Sequence, residues 1–218
     1  MPVLKQEQAV CNMHITLSNT GKRFNREWIF RHVNHEFIPG KAYAITGPNG
    51  SGKSTLLQVI AGAVLCNDGT VSYKSGDRLT KIDDREAFRN ISIATPYLEL
   101  IEEMTSTELL NFHSTFKKLL LPVEDILAAV NLKDAAHKQI RYFSSGMKQR
   151  LKLAQAFFSD TTVLLLDEPS TNLDQEGIAL YKKLVAERTA GRLLIISSND
   201  KNEYDFCNEV ISISDYKK

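Results

Sequence analysis

No apolar run in this sequence approaches the roughly 20 residues that a helix needs to cross a bilayer. Any work at a membrane is therefore expected to pass through a partner. An excess of one charge is also lacking: 27 Lys and Arg stand against 26 Asp and Glu, a net +1. That balance removes the bulk electrostatic case for nucleic acid as a partner. Cysteine is scarce. Cys11, Cys66 and Cys207 are odd in number, far apart and without a C-x-x-C pair, which speaks against a disulfide framework and for reduced thiols with packing roles in a cytosolic protein. His32, His35, His113 and His137 have no metal-binding spacing and read as solvated or packed. Met1–Val10 lacks the apolar core of a signal peptide. No repeat or low-complexity segment stands out. What remains is an ordinary globular composition: 218 residues, 43% hydrophobic and 24% charged. That is enough for one domain, or one domain with a subdomain.

One stretch organises the rest. Gly47-Pro48-Asn49-Gly50-Ser51-Gly52-Lys53-Ser54-Thr55 follows an apolar strand-like run, Tyr43–Thr46, and leads into Leu56–Ala61, which reads as a helix. Strand, glycine-rich turn and helix start are the context a phosphate-binding loop requires. The glycines let successive N–H groups curl inward around an anion, and the helix N-terminus adds its positive end. Lys53 supplies a charge for the β- and γ-phosphates, and the Ser54 hydroxyl is suited to ligate Mg²⁺. The bare motif arises by chance in roughly one chain in a hundred of this length. A glycine turn capping a helix would give the same letters, but the strand-helix context favours a nucleoside triphosphate site.

Along the chain, His14–Ser18 alternates as a strand, Asn19–Asn25 reads as a polar turn, and Val33–Ile38 is a second strand stopped by Pro39-Gly40. Asn67-Asp68-Gly69 turns the chain into a strand at Thr70–Tyr73. Ser75–Arg89 is polar and says little. Ile91–Ala94 is another strand. Thr105–Val130 is helical in pattern: Thr105 and Glu108 have capping-box spacing, Leu109, Phe112, Phe116 and Leu119 share a face, and a second helix runs from Pro122 to Val130. A third helix starts near Ser145. Val163–Leu166 is apolar throughout, as a buried parallel strand is. Gln175–Thr189 is a helix, Leu193–Ile196 a strand, Asp200–Phe206 a short helix and Val210–Ile213 a last strand.

The run from Val163 to Leu166 delivers Asp167 and Glu168 at its C-terminal end, where open α/β sheets bind ligands. Asp167 is suited to hold Mg²⁺, and Glu168 to polarise an attacking water. Helix caps can look similar, but a phosphate loop well upstream makes the pair informative.

Phe143-Ser144-Ser145-Gly146-Met147, the Asp167-Glu168-Pro169 strand end and Ser170-Thr171-Asn172-Leu173-Asp174 follow the phosphate loop in this order. Together they resemble the nucleotide-binding domain of ATP-binding cassette (ABC) transporters over nearly the whole chain. The resemblance implies an α/β fold: a P-loop NTPase core with a mainly parallel sheet, an N-terminal antiparallel β part and a helical subdomain insertion. The core would be 1–95 and 159–218, and the helical subdomain 96–158, of one domain spanning 1–218. It also implies head-to-tail pairing, as a homodimer or with a second nucleotide-binding domain. Each ATP would then lie between the phosphate loop of one chain and Ser144, Ser145 and Gly146 of the other. The loop Asn172–Asp174 would link the two sites. Phe24 stands where the family places an aromatic that stacks on adenine, with Trp28 the nearby alternative; either ring could equally be core. A transmembrane permease would meet the helical subdomain and hold the protein at the cytoplasmic membrane.

The sequence departs from the family pattern at four points. Pro96 falls where a Mg²⁺-sensing Gln is usual. Asn199 replaces a His that contacts the γ-phosphate; it can donate a hydrogen bond but carries no charge. Ser145 replaces a Gly, and Met147 a Gln. The expected function is an ATP-binding and ATP-hydrolysing subunit that powers a separate membrane partner, with Glu168 and Asn199 as catalytic residues. The alternative is an ATP-binding switch or scaffold with weak or no hydrolysis. A translation or DNA-repair role ranks last, because a second nucleotide domain and a long coiled coil are both lacking.

Overall fold

The computed structural model describes residues 13–76 and 79–217, without the side chains of Asp84 and Arg85. Cys11 and the Met1–Val10 stretch lie outside the described residues.

Two sheets divide the strands. The first strands are β1 (Met13–Phe24) and β2 (Glu27–Phe37), followed by β3 (Ala42–Thr46) and helix α1 (Lys53–Ile60). Then come β4 (Asp68–Ser75), β5 (Thr80–Ile82), a short α2 (Asp84–Ala87) and β6 (Ile91–Ala94). Helices α3 (Ser106–Ser114), α4 (Val123–Ala129) and α5 (Ser145–Phe157) form the helical stretch. The chain closes with β7 (Val163–Asp167), α6 (Gln175–Arg188), β8 (Leu193–Ser197), α7 (Lys201–Tyr204) and β9 (Glu209–Ser212). One sheet is antiparallel in the order β2-β1-β4-β5, and the other is parallel in the order β6-β7-β8-β3-β9.

Period-two alternation explains the layers. In the parallel sheet Val163, Leu165, Leu193 and Ile195 face a core shared with α1 and the antiparallel sheet. Their neighbours Leu164, Leu166, Leu194 and Ile196 face a second core built from α3, α4, α5 and α6. Strands covered on both faces must be apolar throughout, and β7 and β8 are buried at every residue.

The parallel register places the site. Ile45, Ser197 and Asp167 lie side by side across β3, β8 and β7. The loops that follow these three strands therefore leave the sheet along one edge, at the crevice where open α/β sheets bind ligands.

Three local expectations need correction. The polar stretch 19–25 turns only at Asn25: β1 runs through the rest to Phe24, with bulges near Thr20 and Lys22 that absorb the irregular residues. The β4 strand begins at Asp68 rather than Thr70. The helix opened by the Thr105–Glu108 capping box ends at Ser114, so Phe116 and Leu119 are not on it. There the Ser114 and Thr115 hydroxyls donate to the carbonyls of Asn111 and Phe112 at 2.6 and 2.7 Å, side-chain bonds that compete with helix continuation. Beyond them the chain turns away through Phe116 and Lys117, Leu119 bridges to Ser159, and the Leu120 N–H donates to the Phe158 carbonyl at 2.8 Å.

Candidate nucleotide site

The loop after β3 takes a shape only glycine permits at two of its positions. Gly47 (φ 146°) and Gly52 (φ 104°) are left-handed, and a Cβ on Gly52 would lie 2.3 Å from the Ile29 side chain. A Cβ on Gly47 would come within 2.6 Å of Ile213. The loop folds around its own cation: the Lys53 ammonium, 4% exposed, donates to the carbonyls of Gly47 at 2.9 Å and Pro48 at 3.3 Å. α1 has no side-chain cap and no acidic residue in its first turn. Its leading N–H groups and Lys53 are therefore suited to an anion. Asn49, Gly50, Ser51, Gly52, Lys53, Ser54 and Thr55 line a cleft of about 300 Å³, together with Ile29, Tyr97 and Glu168.

Both carboxylates stand at this edge. Asp167 is buried, and its Oδ1 has no hydrogen-bond partner among the described residues, an acceptor that a cation or its bound water would satisfy. Glu168 lies on the cleft wall with a left-handed backbone (φ 43°), a strained conformation for a residue other than glycine. Its N–H donates to the Ser197 carbonyl at 2.8 Å, which fixes the turn. Asn199, from the loop after β8, is engaged at both ends. Its Oδ1 accepts from the Gly47 N–H at 3.3 Å, and its Nδ2 donates to Asn49 Oδ1 at 2.8 Å.

Ser144, Ser145 and Gly146 are elsewhere: none of them lines this cleft. Ser144 caps α5, its hydroxyl oxygen accepting from the Met147 N–H at 3.2 Å, and Ser144 and Ser145 are exposed. Gly146 packs against the loop after Glu168, where an added Cβ would sit 3.0 Å from the Asn172 carbonyl. In that loop Asn172 is left-handed, and Asp174 caps α6 by accepting from the Gly177 N–H at 2.8 Å.

The two aromatic candidates separate. Trp28 has the guanidinium groups of Arg31 and Arg23 at 4.2 and 5.4 Å from its ring centre. Phe24, at the tip of the β1–β2 hairpin, is 50% exposed, with the Lys22 ammonium 5.1 Å from its ring centre.

Four contributors escape a reading of the sequence. Tyr97 is 82% exposed and lines the cleft next to Pro96. An aromatic just past the end of a parallel strand was the available signal. Ile29 stands against the glycine loop from the neighbouring sheet, and no sequence spacing reveals it. Buried Glu203 accepts from the Ser170 N–H at 2.7 Å and holds the loop after Glu168. Gln149 donates to the Pro169 carbonyl at 2.9 Å from α5. A buried acid and a buried amide are legible as such only once their surroundings are known.

Comparison with known proteins agrees with this geometry. The family model described as ABC transporter matches residues 30–171. The uncharacterized ABC transporter ATP-binding protein YybJ of Bacillus subtilis is 30% identical over 192 residues, 87% of each chain. The lantibiotic transport ATP-binding protein SrtF of Streptococcus pyogenes is 28% identical over 198 residues, 90% of this chain and 85% of its own. Two other Bacillus subtilis relatives are longer, and the chain spans 63% of the length of each. Among solved structures, the dimeric bacterial ABC transporter cassette MJ0796 shares the fold with a TM-score of 0.74 at 23% identity, over 91% of this chain and 94% of that one. The same cassette is also known as a dimer bound to ADP and Pi. The matched span takes in the strand, the phosphate loop and the paired carboxylates, so this chain is a member of the ABC transporter family, among its ATP-binding proteins.

Proposed function

We propose that the protein binds and hydrolyses ATP and that ATP-driven pairing of two cassettes powers a separate transmembrane partner. The observation that carries the reading is the row Ile45, Ser197 and Asp167: the loops that follow bring the phosphate loop and Glu168 to one cleft, with Asn199 bonded to Gly47 and Asn49, while Ser144–Gly146 lie outside it. A site whose second half lies elsewhere on the same chain is completed by a second copy or a similar cassette. The dimeric relative supports that arrangement. The relative named for lantibiotic transport supports a role with a permease, which would place the protein on the cytoplasmic side of the membrane. Residues 96–158 would form the subdomain that meets it.

Within the cleft the N–H groups of residues 47–55 and the Lys53 ammonium would hold the β- and γ-phosphates. Phe24 would stack on the adenine, since its ring is the more exposed of the two and has one cation beside it where Trp28 has two. Ser54 and Asp167 would hold Mg²⁺, and the partnerless Asp167 Oδ1 fits that duty. When bound, the ion neutralises phosphate charge. Glu168 would take a proton from water as its oxygen attacks the γ-phosphorus and ADP leaves. Asn199 would brace the loop and offer an uncharged hydrogen bond. Without a charged partner at Asn199, and without a carboxamide at Pro96, turnover is expected about 10²–10³ slower than a fully equipped site would give.

The test is phosphate release from Mg-ATP by the purified protein, beside Glu168→Gln. Slow turnover that disappears in the variant is expected. ATP binding without turnover, both alone and with the membrane partner, would overturn the ATPase reading.

A further inference from the structure

Two carbonyls, each next in sequence to a residue that lines the cleft, are gripped from one helix. Gln149 of α5 donates to the carbonyl of Pro169, directly after Glu168. One turn further along, the Lys152 ammonium donates to the carbonyl of Pro96 at 2.5 Å and to that of Thr95 at 3.4 Å. Lys152 is 8% exposed, and a charge that deep requires a structural reason. Burial, and the Lys148 charge beside it, pull its ammonium below the usual lysine range. Lys148 is itself paired with Glu102. The Pro96 carbonyl belongs to the peptide bond that leads into Tyr97, so the ammonium fixes the plane from which Tyr97 departs.

Tyr97 is also the residue shared by two cavities. It lines the phosphate cleft with Ser54, Thr55 and Glu168, and it lines a neighbouring cavity of about 600 Å³ with Pro96, Lys148 and Lys152. It is 82% exposed, so burial in the core does not account for it. Its phenol can donate a hydrogen bond to a phosphate oxygen, which Pro96 cannot.

We propose that Tyr97 contacts the terminal phosphate of a bound nucleoside triphosphate, and that Lys152 is the positioning residue that holds it at the cleft and ties it to the helix bearing Ser144–Gly146. This rests on the ATP-binding reading above. Glu168 marks the γ-phosphate end of the cleft, so a contact beside it distinguishes ATP from ADP.

The test is the dissociation constant for a non-hydrolysable ATP analogue and for ADP, each with Mg²⁺, measured by calorimetry on the full chain. Tyr97→Phe is expected to weaken the ATP analogue about fivefold, the worth of one hydrogen bond, and to leave ADP unchanged. Lys152→Met should reproduce that selective loss, and Lys152→Arg should restore it. An unchanged Tyr97→Phe, or equal losses for both nucleotides in Lys152→Met, would overturn the proposal while leaving the ATP site intact. A wild-type chain that binds neither nucleotide would overturn the ATP reading itself, and this with it. Tyr97 is exposed, so its variants are expected to fold even if Lys152→Met does not.

Discussion

The phosphate loop and the Ser144–Gly146 turn are both small-residue approaches to a helix N-terminus, yet the fold treats them in opposite ways. The loop is enclosed at its base, with Pro48, Asn49 and Gly50 reaching solvent. Its lysine is buried among its own carbonyls, Asn199 bridges two of its residues, and a carboxylate stands opposite. The Ser144 turn faces solvent, and its one capping hydroxyl serves its own helix. The first region is a cradle complete in one chain. On the proposed pairing, the second is a surface that meets the nucleotide held by another cassette. Affinity for nucleotide should therefore reside in the first region, and its consequence, pairing and turnover, in the second.

The strongest way to break this contrast is Lys53→Ala. It removes the loop's ammonium and leaves the Gly47 and Pro48 carbonyls without their donor. Two or more charge-assisted hydrogen bonds to phosphate are lost, so ATP affinity should fall about 100-fold or more by calorimetry. If affinity stays within a few-fold of wild type, the enclosed loop is not where the phosphates lie, and the comparison fails at its first term.

Much of that enclosed region was legible beforehand, because its residues are consecutive and their geometry is local. Glycines with positive φ, a lysine and a helix start can be read from nine adjacent letters, Gly47 to Thr55. Val163–Leu166 and Leu193–Ile196 were equally readable, since a strand buried on both faces has no choice but to be apolar. What failed was nonlocal or finely balanced. Residues 19–25 look like a turn because bulged strand residues need no alternation. The end of α3 depended on two hydroxyls choosing backbone carbonyls. Lys152 and Glu203 bond to partners dozens of residues away, and Tyr97 lines the cleft with residues equally distant in sequence. No spacing rule joins those positions.

A smaller effect sharpens the contrast at the rim of the cradle. Phe24→Ala should weaken ATP about tenfold, the value of one base stacked on an aromatic at an exposed edge. Trp28→Ala should leave affinity nearly unchanged and lower the thermal midpoint, because its ring packs on Gly21 and beside Arg23 and Arg31. The reverse pattern would assign the stacking ring to Trp28.

The smallest effect on the single chain is the most informative about the second region. Ser144 has two separable uses: its oxygen accepts from the Met147 N–H, and its hydroxyl hydrogen remains available to donate outward. Ser144→Ala loses both, with about 1 kcal/mol of stability gone with the cap. Ser144→Asp keeps the cap, since a carboxylate accepts the same N–H, but it replaces an outward donor with a negative charge. If the turn meets a partner's ATP, Ser144→Asp should be as stable as wild type in thermal unfolding and bind ATP normally as a single chain. It should nevertheless lose most of its turnover and its Mg-ATP-dependent dimer by sizing. If turnover survives in Ser144→Asp, the hydroxyl serves only its own helix. The exposed turn would then be a cap and nothing more, and the two regions would differ in enclosure without dividing the work between them.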